Sequence, residues 1–303
     1  MMTDFDVVTG AFSYSGAAIA AELQAAGRRV RTLTGHPGRA PANGGIEVRP
    51  LDFTDPAGLT ESLRGAGTLY NTYWVRFARG GVDHPEAVTR SRMLLQAAAG
   101  AGVRRIVHVS ITNPSADSPY PYFRGKAAVE EALGDLGVSH AVLRPAILFG
   151  GSGVLINNIA WLLRRLPVFA VGGAGEYRIR PVHVGDLARL AVRTGGSAVT
   201  ETIDAVGPER PTFLDMVRTI RAAVGSRSRI VRVPGGLVPP AAWLLGLALR
   251  DTLLTTDEFC GMADGLADTE GPATGDTALS QWITDHEDTL GRTYASELTR
   301  HFR

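Results

Sequence analysis

Short runs of apolar, β-branched residues alternate with longer stretches rich in alanine and leucine over the first 150 residues. The short runs have the length of buried strands, and the longer stretches have the length of helices. This βαβα order predicts an α/β fold with a doubly wound parallel sheet. We expect strands at 5–9, 29–33, 46–49, 68–71, 105–110 and 140–144. We expect helices at 15–26, 56–63, 86–99 and 122–136.

The alternation weakens after residue 150, and helical patterns dominate from residue 211 onward. We expect a helix at 154–165 and strands at 179–184, 202–206 and 230–233. The longest apolar stretch, 235–249, is broken by two prolines and a glycine, and it is shorter than the roughly 20 residues that cross a bilayer. Two alternatives remain for this stretch: a buried or interface helix, or a helix that contacts a membrane or lipid.

A glycine-containing turn follows the first expected strand and precedes the first expected helix. Glycine at position 10 allows a sharp turn, and glycine at position 16 allows the helix to pack closely on the sheet. The backbone amides and the helix N-terminus meet at this point, where they can hold a pyrophosphate. A plain strand-to-helix connection is the alternative. The candidate dinucleotide contacts are Gly10, Phe12, Ser13, Tyr14, Ser15 and Gly16.

The choice between NAD and NADP depends on the end of the second strand. An NAD site usually places an acidic residue there for the ribose hydroxyls, but residues 33–39 contain none. His36 and Arg39 would instead meet a 2′-phosphate, so we expect NADP, with NAD as the alternative; Arg39 as a solvated loop charge is equally open. Asp52 and Phe53 follow the third strand, where a carboxylate accepts the adenine amino group or only caps a turn.

Lys126 is the only lysine among 31 basic residues, and it follows Tyr122 by four positions. Residues at i and i+4 share one face of a helix, so both reach one substrate site. A nearby ammonium lowers the pKa of a phenol and suits it to general acid–base work. Accidental spacing is a poor explanation for a single lysine. A tyrosine packed on the core beside a solvated lysine is the structural alternative.

A site of this kind also needs a donor that holds the substrate oxygen. The fifth strand ends just before the tyrosine helix, and the carboxyl end of a parallel strand faces the cofactor crevice. Thr112 is our first choice for this donor and Ser110 our second. Either residue would otherwise be a turn residue bonded to its own backbone.

Composition limits the partners and the compartment. A net charge of +1 argues against nucleic acid or an acidic membrane surface as the main partner. One cysteine excludes an intramolecular disulfide and a cysteine-rich zinc site, and we predict no metal. The first six residues carry two acids and run directly into a strand, unlike a signal peptide. We therefore expect a cytoplasmic protein with no membrane span.

These motifs together resemble the short-chain dehydrogenase/reductase superfamily, in its extended and atypical branches. The resemblance rests on Thr9-Gly10 with Gly16, on Asp52, on Ser110 and Thr112, and on Tyr122 with Lys126, and it covers roughly residues 3–210. The chain looks most similar to the atypical group that includes the NADPH-binding accessory subunit of respiratory complex I and redox-sensing regulators of the nitrogen-repressor type. Some of these proteins bind the cofactor without turning it over.

The resemblance implies a Rossmann-type fold and a role for each matching residue. Tyr122 would be the acid–base group, and Lys126 would bind the nicotinamide ribose while it tunes the phenol. Gly10, Ser13 and Gly16 would form the glycine turn, with a serine where the family usually has a glycine. Pro145 and Ile147 would flank the nicotinamide, and Asn71 and Thr72 would line the cofactor crevice.

The expected organisation and function follow. Residues 1–150 would form the dinucleotide-binding domain, with strands near 179–184 and 202–206 returning to it. Residues 151–178 and 209–303 would form a smaller, mostly helical region for a small-molecule substrate. We expect an NAD(P)-dependent oxidoreductase or epimerase that transfers hydride at a hydroxyl or carbonyl carbon. The alternative is a non-catalytic redox sensor or assembly subunit. Many relatives dimerise, so a homodimer is also expected.

Overall fold

The computed structural model describes residues 5–41, 44–78 and 81–298 of the 303-residue chain. The strands are β1 Phe5–Thr9, β2 Val30–Thr34, β3 Ile46–Pro50, β4 Ala66–Asn71, β5 Arg105–Val109, β6 Ser139–Pro145, β7 Leu148–Phe149, β8 Val168–Gly172, β9 Val182–His183, β10 Glu201–Ala205 and β11 Arg229–Val233. The helices are α1 Tyr14–Ala25, α2 Pro56–Leu63, α3 His84–Gly100, α4 Pro121–Asp135, α5 Val154–Arg165, α6 Val184–Gly195, α7 Phe213–Ala223, α8 Val238–Leu249, α9 Thr256–Ala263 and α10 Leu279–Asp285. Short 3₁₀ turns cover Pro37–Arg39 and Gly235–Leu237.

Seven strands form one parallel sheet in the order β10-β6-β5-β4-β1-β2-β3. The strand order reverses at β1, which pairs with β2 on one side and with β4 on the other. In open parallel sheets, ligands bind outside the carboxyl ends of the strands at this reversal. The predicted doubly wound, Rossmann-type α/β fold is confirmed.

The chain divides into two compact units, of which the first is Met1–Pro145 with Leu187–Ala205. This unit contains the whole seven-stranded sheet. Every residue of β4 and β5 is buried, because helices cover the sheet on both faces. Leu33, Leu69 and Ile106 lie in its core against helix residues such as Leu94 and Leu133. The short apolar runs of the sequence are therefore buried strands, as expected.

The second unit consists of Ala146–Asp186 and Val206–Arg303. It holds two small parallel pairs, β8 with β11 and β7 with β9, and most of the remaining helices. Its core gathers Phe149, Val217 and Ile283.

The prediction of a strand over 179–184 that returns to the large sheet is wrong. Only Val182–His183 is a strand, and it pairs with β7. The Ile179 and Arg180 amides donate instead to the carbonyls of Pro211 and Ala267. The chain enters α6 at Val184. These residues bond to loops and begin a helix, so they add no strand to the large sheet. The strand predicted at 202–206 does join the sheet, as β10 beside β6.

The long apolar stretch forms the 3₁₀ turn Gly235–Leu237 and α8, and most of it is exposed. Gly246 is the buried residue of α8, whereas Trp243 and Leu244 are 62% and 61% exposed. The interpretation of this stretch as a helix buried within the chain is therefore wrong. Among the described residues, no helix has the length and apolar character needed to cross a bilayer.

Candidate active site

The glycine turn opens directly from the end of β1. Gly10 has a φ of +63°, in the left-handed region that glycine adopts without steric penalty. The amide and the hydroxyl of Ser13 both donate to the Gly10 carbonyl, at 2.8 and 2.6 Å. Ser13 therefore occupies the N-cap position of α1 without capping it through its side chain. The first-turn amides lack intrahelical acceptors, so this end of α1 can hold a phosphate.

Gly16 brings the first turn of α1 against the end of β1. A Cβ atom at this position would lie 2.2 Å from the Gly10 carbonyl oxygen and 2.9 Å from that of Thr9. Both neighbours are backbone atoms, which cannot rotate away as a side chain can. The close approach therefore requires glycine, as the sequence predicts for a dinucleotide turn.

Three polar residues tie the ends of β1 and β4 together. The Thr72 amide donates to Thr9 Oγ1 at 2.7 Å, and the Thr72 hydroxyl donates to the Thr9 carbonyl at 2.6 Å. Asn71 is fully buried; its Oδ1 accepts the Tyr73 amide, and its Nδ2 lies 3.1 Å from His108 Nδ1. Thr72 borders the glycine turn, whereas the Asn71 side chain braces the strand ends.

The predicted adenosine contacts follow β2 and β3. His36 is exposed, Arg39 is half-buried, and the His36 amide donates to Thr34 Oγ1 at 3.0 Å. Asp52 is exposed, and its Oδ1 accepts the Thr54 amide and hydroxyl at 2.8 and 2.7 Å. Hydrogen bonds from Thr54 lower the pKa of Asp52. Asp52 thus closes a turn, and the centroid of the Phe53 ring lies 5.0 Å from that of the Tyr73 ring.

The tyrosine and the lysine of α4 both contact the same indole. The Tyr122 ring meets the Trp74 ring edge-on with 5.8 Å between centroids, and Lys126 Nζ lies 4.6 Å from the centroid of that ring. His84 stacks on Trp74 at 6.0 Å. A Cβ atom at Gly125 would lie 2.8 Å from the indole, so the helix lies directly against it. The structure therefore groups the phenol and the amine around Trp74.

Lys126 is only 3% exposed, and its Nζ donates to the Val109 carbonyl at 2.9 Å. Val109 is the last residue of β5, so the amine lies at the carboxyl end of the sheet. Burial lowers the pKa of Lys126 to about 7, and the Glu130 carboxylate acts in the opposite direction. Glu130 itself pairs with Arg144. The amine can therefore gain or lose a proton near neutral pH.

The two candidate oxygen-holding residues lie between β5 and α4. Ser110 is 4% exposed, its amide donates to the Leu143 carbonyl, and its Oγ has no hydrogen-bond partner among the described residues. Thr112 is fully buried, and its amide donates to the Pro145 carbonyl at 3.1 Å. A buried hydroxyl without a hydrogen-bond partner costs a protein about 1–3 kcal/mol of stability. The unused oxygen of Ser110 therefore favours Ser110 over Thr112, the reverse of our order of preference from the sequence.

The predicted nicotinamide-flanking residues belong to different units. Pro145 ends β6 in the first unit. Ile147 lies in the second unit, where its carbonyl accepts the Val182 amide at 2.9 Å and its side chain packs on the core. In the second unit, Trp161 stacks beneath Arg165, and Arg178 donates to the Arg210 carbonyl.

Sequence reasoning missed His108 and the bracing role of Thr9. His108 is fully buried beside Asn71, and burial lowers its pKa well below the ordinary value. A histidine within an apolar strand run carries no signal that separates a core residue from a site residue. Thr9 directly precedes Gly10, and this adjacency was the available signal for its role.

The amino-acid sequence matches a known family of cofactor-binding domains. Residues 10–156 match the family model described as NAD(P)H-binding. The chain is 23% identical over 219 residues to the mitochondrial NADH-ubiquinone oxidoreductase 40 kDa subunit of Neurospora crassa, covering 71% of this chain and 57% of that subunit. It is 26% identical over 302 residues to the ceramide reductase of Caulobacter vibrioides, covering 91% of this chain and 93% of that protein.

Solved structures share the fold over nearly the whole chain. An NADPH-dependent quinone oxidoreductase from Escherichia coli, crystallised with NADPH, has a TM-score of 0.76 at 22% identity and covers 93% of this chain and 99% of its own. A nucleoside-diphosphate-sugar epimerase from Staphylococcus aureus has a TM-score of 0.76 at 16% identity, covering 92% and 99%. The chain therefore carries an NAD(P)-binding Rossmann domain, is homologous to complex I accessory subunits and reductases, and has epimerase-like structural neighbours. The predicted NAD(P) cofactor is confirmed.

Proposed function

We propose that this protein is an NADPH-dependent reductase of a carbonyl compound, with Tyr122 as the proton donor and Lys126 as its partner. NAD(P)H, when bound, supplies the hydride that reduces the carbonyl carbon. Tyr122 gives its phenolic proton to the carbonyl oxygen as the hydroxyl forms, and Ser110 holds that oxygen by a hydrogen bond. In the reverse direction the same groups remove the proton of an alcohol.

The grouping around Trp74 is the single observation that carries this proposal. The amine is buried, lies over the indole and is anchored on the last carbonyl of β5, so it is fixed at the end of the sheet where parallel folds bind ligands. A buried ammonium stabilises a phenolate on the same helix face. Among the described residues, no carboxylate is hydrogen-bonded to Lys126 Nζ. Its remaining N–H donors therefore suit the two hydroxyl groups of a nicotinamide ribose.

The fit of the cofactor to the first unit rests on the glycine turn. The left-handed Gly10, the close approach at Gly16 and the uncapped start of α1 suit a pyrophosphate. His36 and Arg39 would meet the 2′-phosphate of NADP, because no carboxylate follows β2. A cytoplasmic location and a homodimer remain predictions.

The second candidate function is cofactor binding without turnover, in a sensor or an assembly subunit. The complex I subunits among the relatives favour it, although the chain covers only 57% of the Neurospora subunit. The ceramide reductase, whose match spans both chains almost completely, favours an enzyme. The presence of both Tyr122 and Lys126 also favours an enzyme.

Replacement of Tyr122 separates the two functions. We expect Tyr122→Phe to bind NADPH normally and to lose at least about 100-fold in NADPH-dependent reduction of a panel of aldehydes, ketones and quinones, because general acid catalysis contributes about 10²–10⁴-fold. Tyr120→Phe, at the N-cap of the same helix, is the matched control and keeps full activity. Binding of NADPH with no turnover of any carbonyl by the unaltered protein would instead support the sensor or assembly role.

A further inference from the structure

Apolar side chains on the outside of the second unit are concentrated in one place. Among the described residues, six large hydrophobic side chains are strongly exposed, and four of them lie between positions 237 and 247. These four are Leu237, Trp243, Leu244 and Leu247, with exposed fractions of 56%, 62%, 61% and 58%. Large contiguous apolar surface of this kind usually marks an interaction site.

The helix that carries this surface has no polar side chain at all. Residues 238–249 are valine, proline, alanine, tryptophan, leucine and glycine only. Gly246 faces inward, where a Cβ atom would lie 2.6 Å from the Asp251 carbonyl oxygen. Trp243 and Leu247 are one helical turn apart and therefore lie on one outward side of α8.

Positive charge flanks this apolar helix in the sequence. Residues 216–250 contain six arginines and no acidic residue, while the rest of the chain carries a net charge of −5. The side chains of Arg227, Arg229, Arg232 and Arg250 are exposed. No hydrogen bond or ion pair engages their guanidinium groups within the part of the chain that the structure describes. This segment is therefore strongly cationic, whereas the protein as a whole is nearly neutral.

The charge and the apolar surface together indicate an anionic membrane as the partner. Arginine beside exposed leucine and tryptophan is the composition of segments that lie in the interface of anionic membranes. The same patch on a second copy of this chain would oppose arginine with arginine across a symmetric interface, which is unfavourable. At about 1.5 Å per residue the 12-residue helix is about 18 Å long, too short to cross a bilayer and suited to lying on one.

We propose that α8 and the arginines around it dock this protein on the surface of an anionic lipid bilayer. Trp243, Leu244 and Leu247 enter the headgroup region, and Arg229, Arg232 and Arg250 contact lipid phosphates. This docking is independent of the redox function proposed above, because it needs neither the cofactor nor Tyr122. It would bring the enzyme to substrates dissolved in the membrane.

Vesicle binding tests the proposal with the complete protein. Cosedimentation is measured with vesicles of phosphatidylcholine alone and of phosphatidylcholine mixed with phosphatidylglycerol, at low and high salt. We expect binding to the mixed vesicles, weakened by salt. Trp243→Ser with Leu244→Ser and Leu247→Ser should reduce the affinity by at least about 100-fold, because each side chain forfeits the burial of its apolar surface. Arg229→Gln with Arg232→Gln should reduce it by about five-fold per arginine.

The controls separate docking from general effects. Arg92→Gln with Arg193→Gln removes two exposed arginines from the first unit, and Val199→Ser removes an exposed apolar residue; both should leave vesicle binding unchanged. All variants should bind NADPH as the unaltered protein does, which verifies the fold. Absence of binding to the mixed vesicles, or equal binding by the α8 variant, would overturn the proposal. Self-association that the α8 variant abolishes, with no vesicle binding, would assign the helix to a second copy and would also overturn it.

Discussion

Replacement of Gly16 by alanine would test the glycine turn with the smallest possible change. The added methyl group would lie 2.2 Å from the Gly10 carbonyl oxygen, whereas ordinary contacts begin at 3.4 Å. The start of α1 or the end of β1 must therefore shift by at least about 1.2 Å. The shift acts on the amides that the pyrophosphate is expected to contact.

The magnitude follows from this displacement. Overpacking in a close-packed region destabilises a protein by about 1–3 kcal/mol. A misplacement of about 1 Å at a binding site weakens its function by about 100-fold. We expect Gly16→Ala to remain folded, to lose a few degrees in Tm and to bind NADPH about 10- to 100-fold more weakly in a fluorescence titration.

Gly134→Ala is the matched control, because a Cβ atom at Gly134 meets no atom within 4 Å. This position lies within α4, so the control should bind NADPH normally and gain slightly in stability from the better helix propensity of alanine. Unchanged NADPH affinity in Gly16→Ala would refute the assignment of the turn to the pyrophosphate. Equal weakening in both variants would show that the effect is general.

Three further predictions concern the remaining groups of the site. Arg39→Ala should weaken NADPH binding about 10-fold or more and leave NADH binding unchanged, because only NADPH carries the 2′-phosphate that the arginine would contact. Arg49→Ala should change neither Kd, and an equal loss for both cofactors in Arg39→Ala would contradict the assignment. Lys126 has a folded-state pKa near 7 against 10.5 when unfolded, so the unfolded state holds the extra proton between these values and the stability of the unaltered protein should rise with pH by up to about 1.4 kcal/mol per unit relative to Lys126→Met in urea titrations. If the difference in stability between the two proteins did not change with pH, burial would not lower the pKa of Lys126. Ser110→Ala should unfold at equal or higher temperature yet lose about 10-fold or more in kcat, whereas Ser91→Ala, which removes another buried hydroxyl without a partner, should keep full kcat.

The fold could be predicted from the sequence because its signals are local. The short apolar runs predicted β1–β6 to within two residues, and the helix expected at 56–63 is α2. The strand expected at 179–184 failed because an extended apolar run bonds equally well to loops. The spacing of apolar residues predicts which positions are buried, but it does not identify the acceptor to which a backbone amide bonds.

The sequence indicates candidate residues for the site, but it does not show how they are arranged. The single lysine four positions after Tyr122 predicted a pair on one helix face. Trp74, which both side chains contact, lies in the loop after β4, and no spacing rule connects it to α4. The preference for Ser110 over Thr112 required the structure, because the sequence cannot show which hydroxyl lacks a partner. The exposure of α8 depends on what the rest of the chain leaves uncovered.

In a crystal structure of the NADPH complex, the decisive distance is the one from Lys126 Nζ to the nicotinamide ribose hydroxyls. We expect a hydrogen bond of about 2.7–3.2 Å, with the Tyr122 hydroxyl and the nicotinamide ring on the same side of Trp74. A nicotinamide ring bound away from Trp74, with Lys126 still bonded only to the Val109 carbonyl, would contradict this expectation.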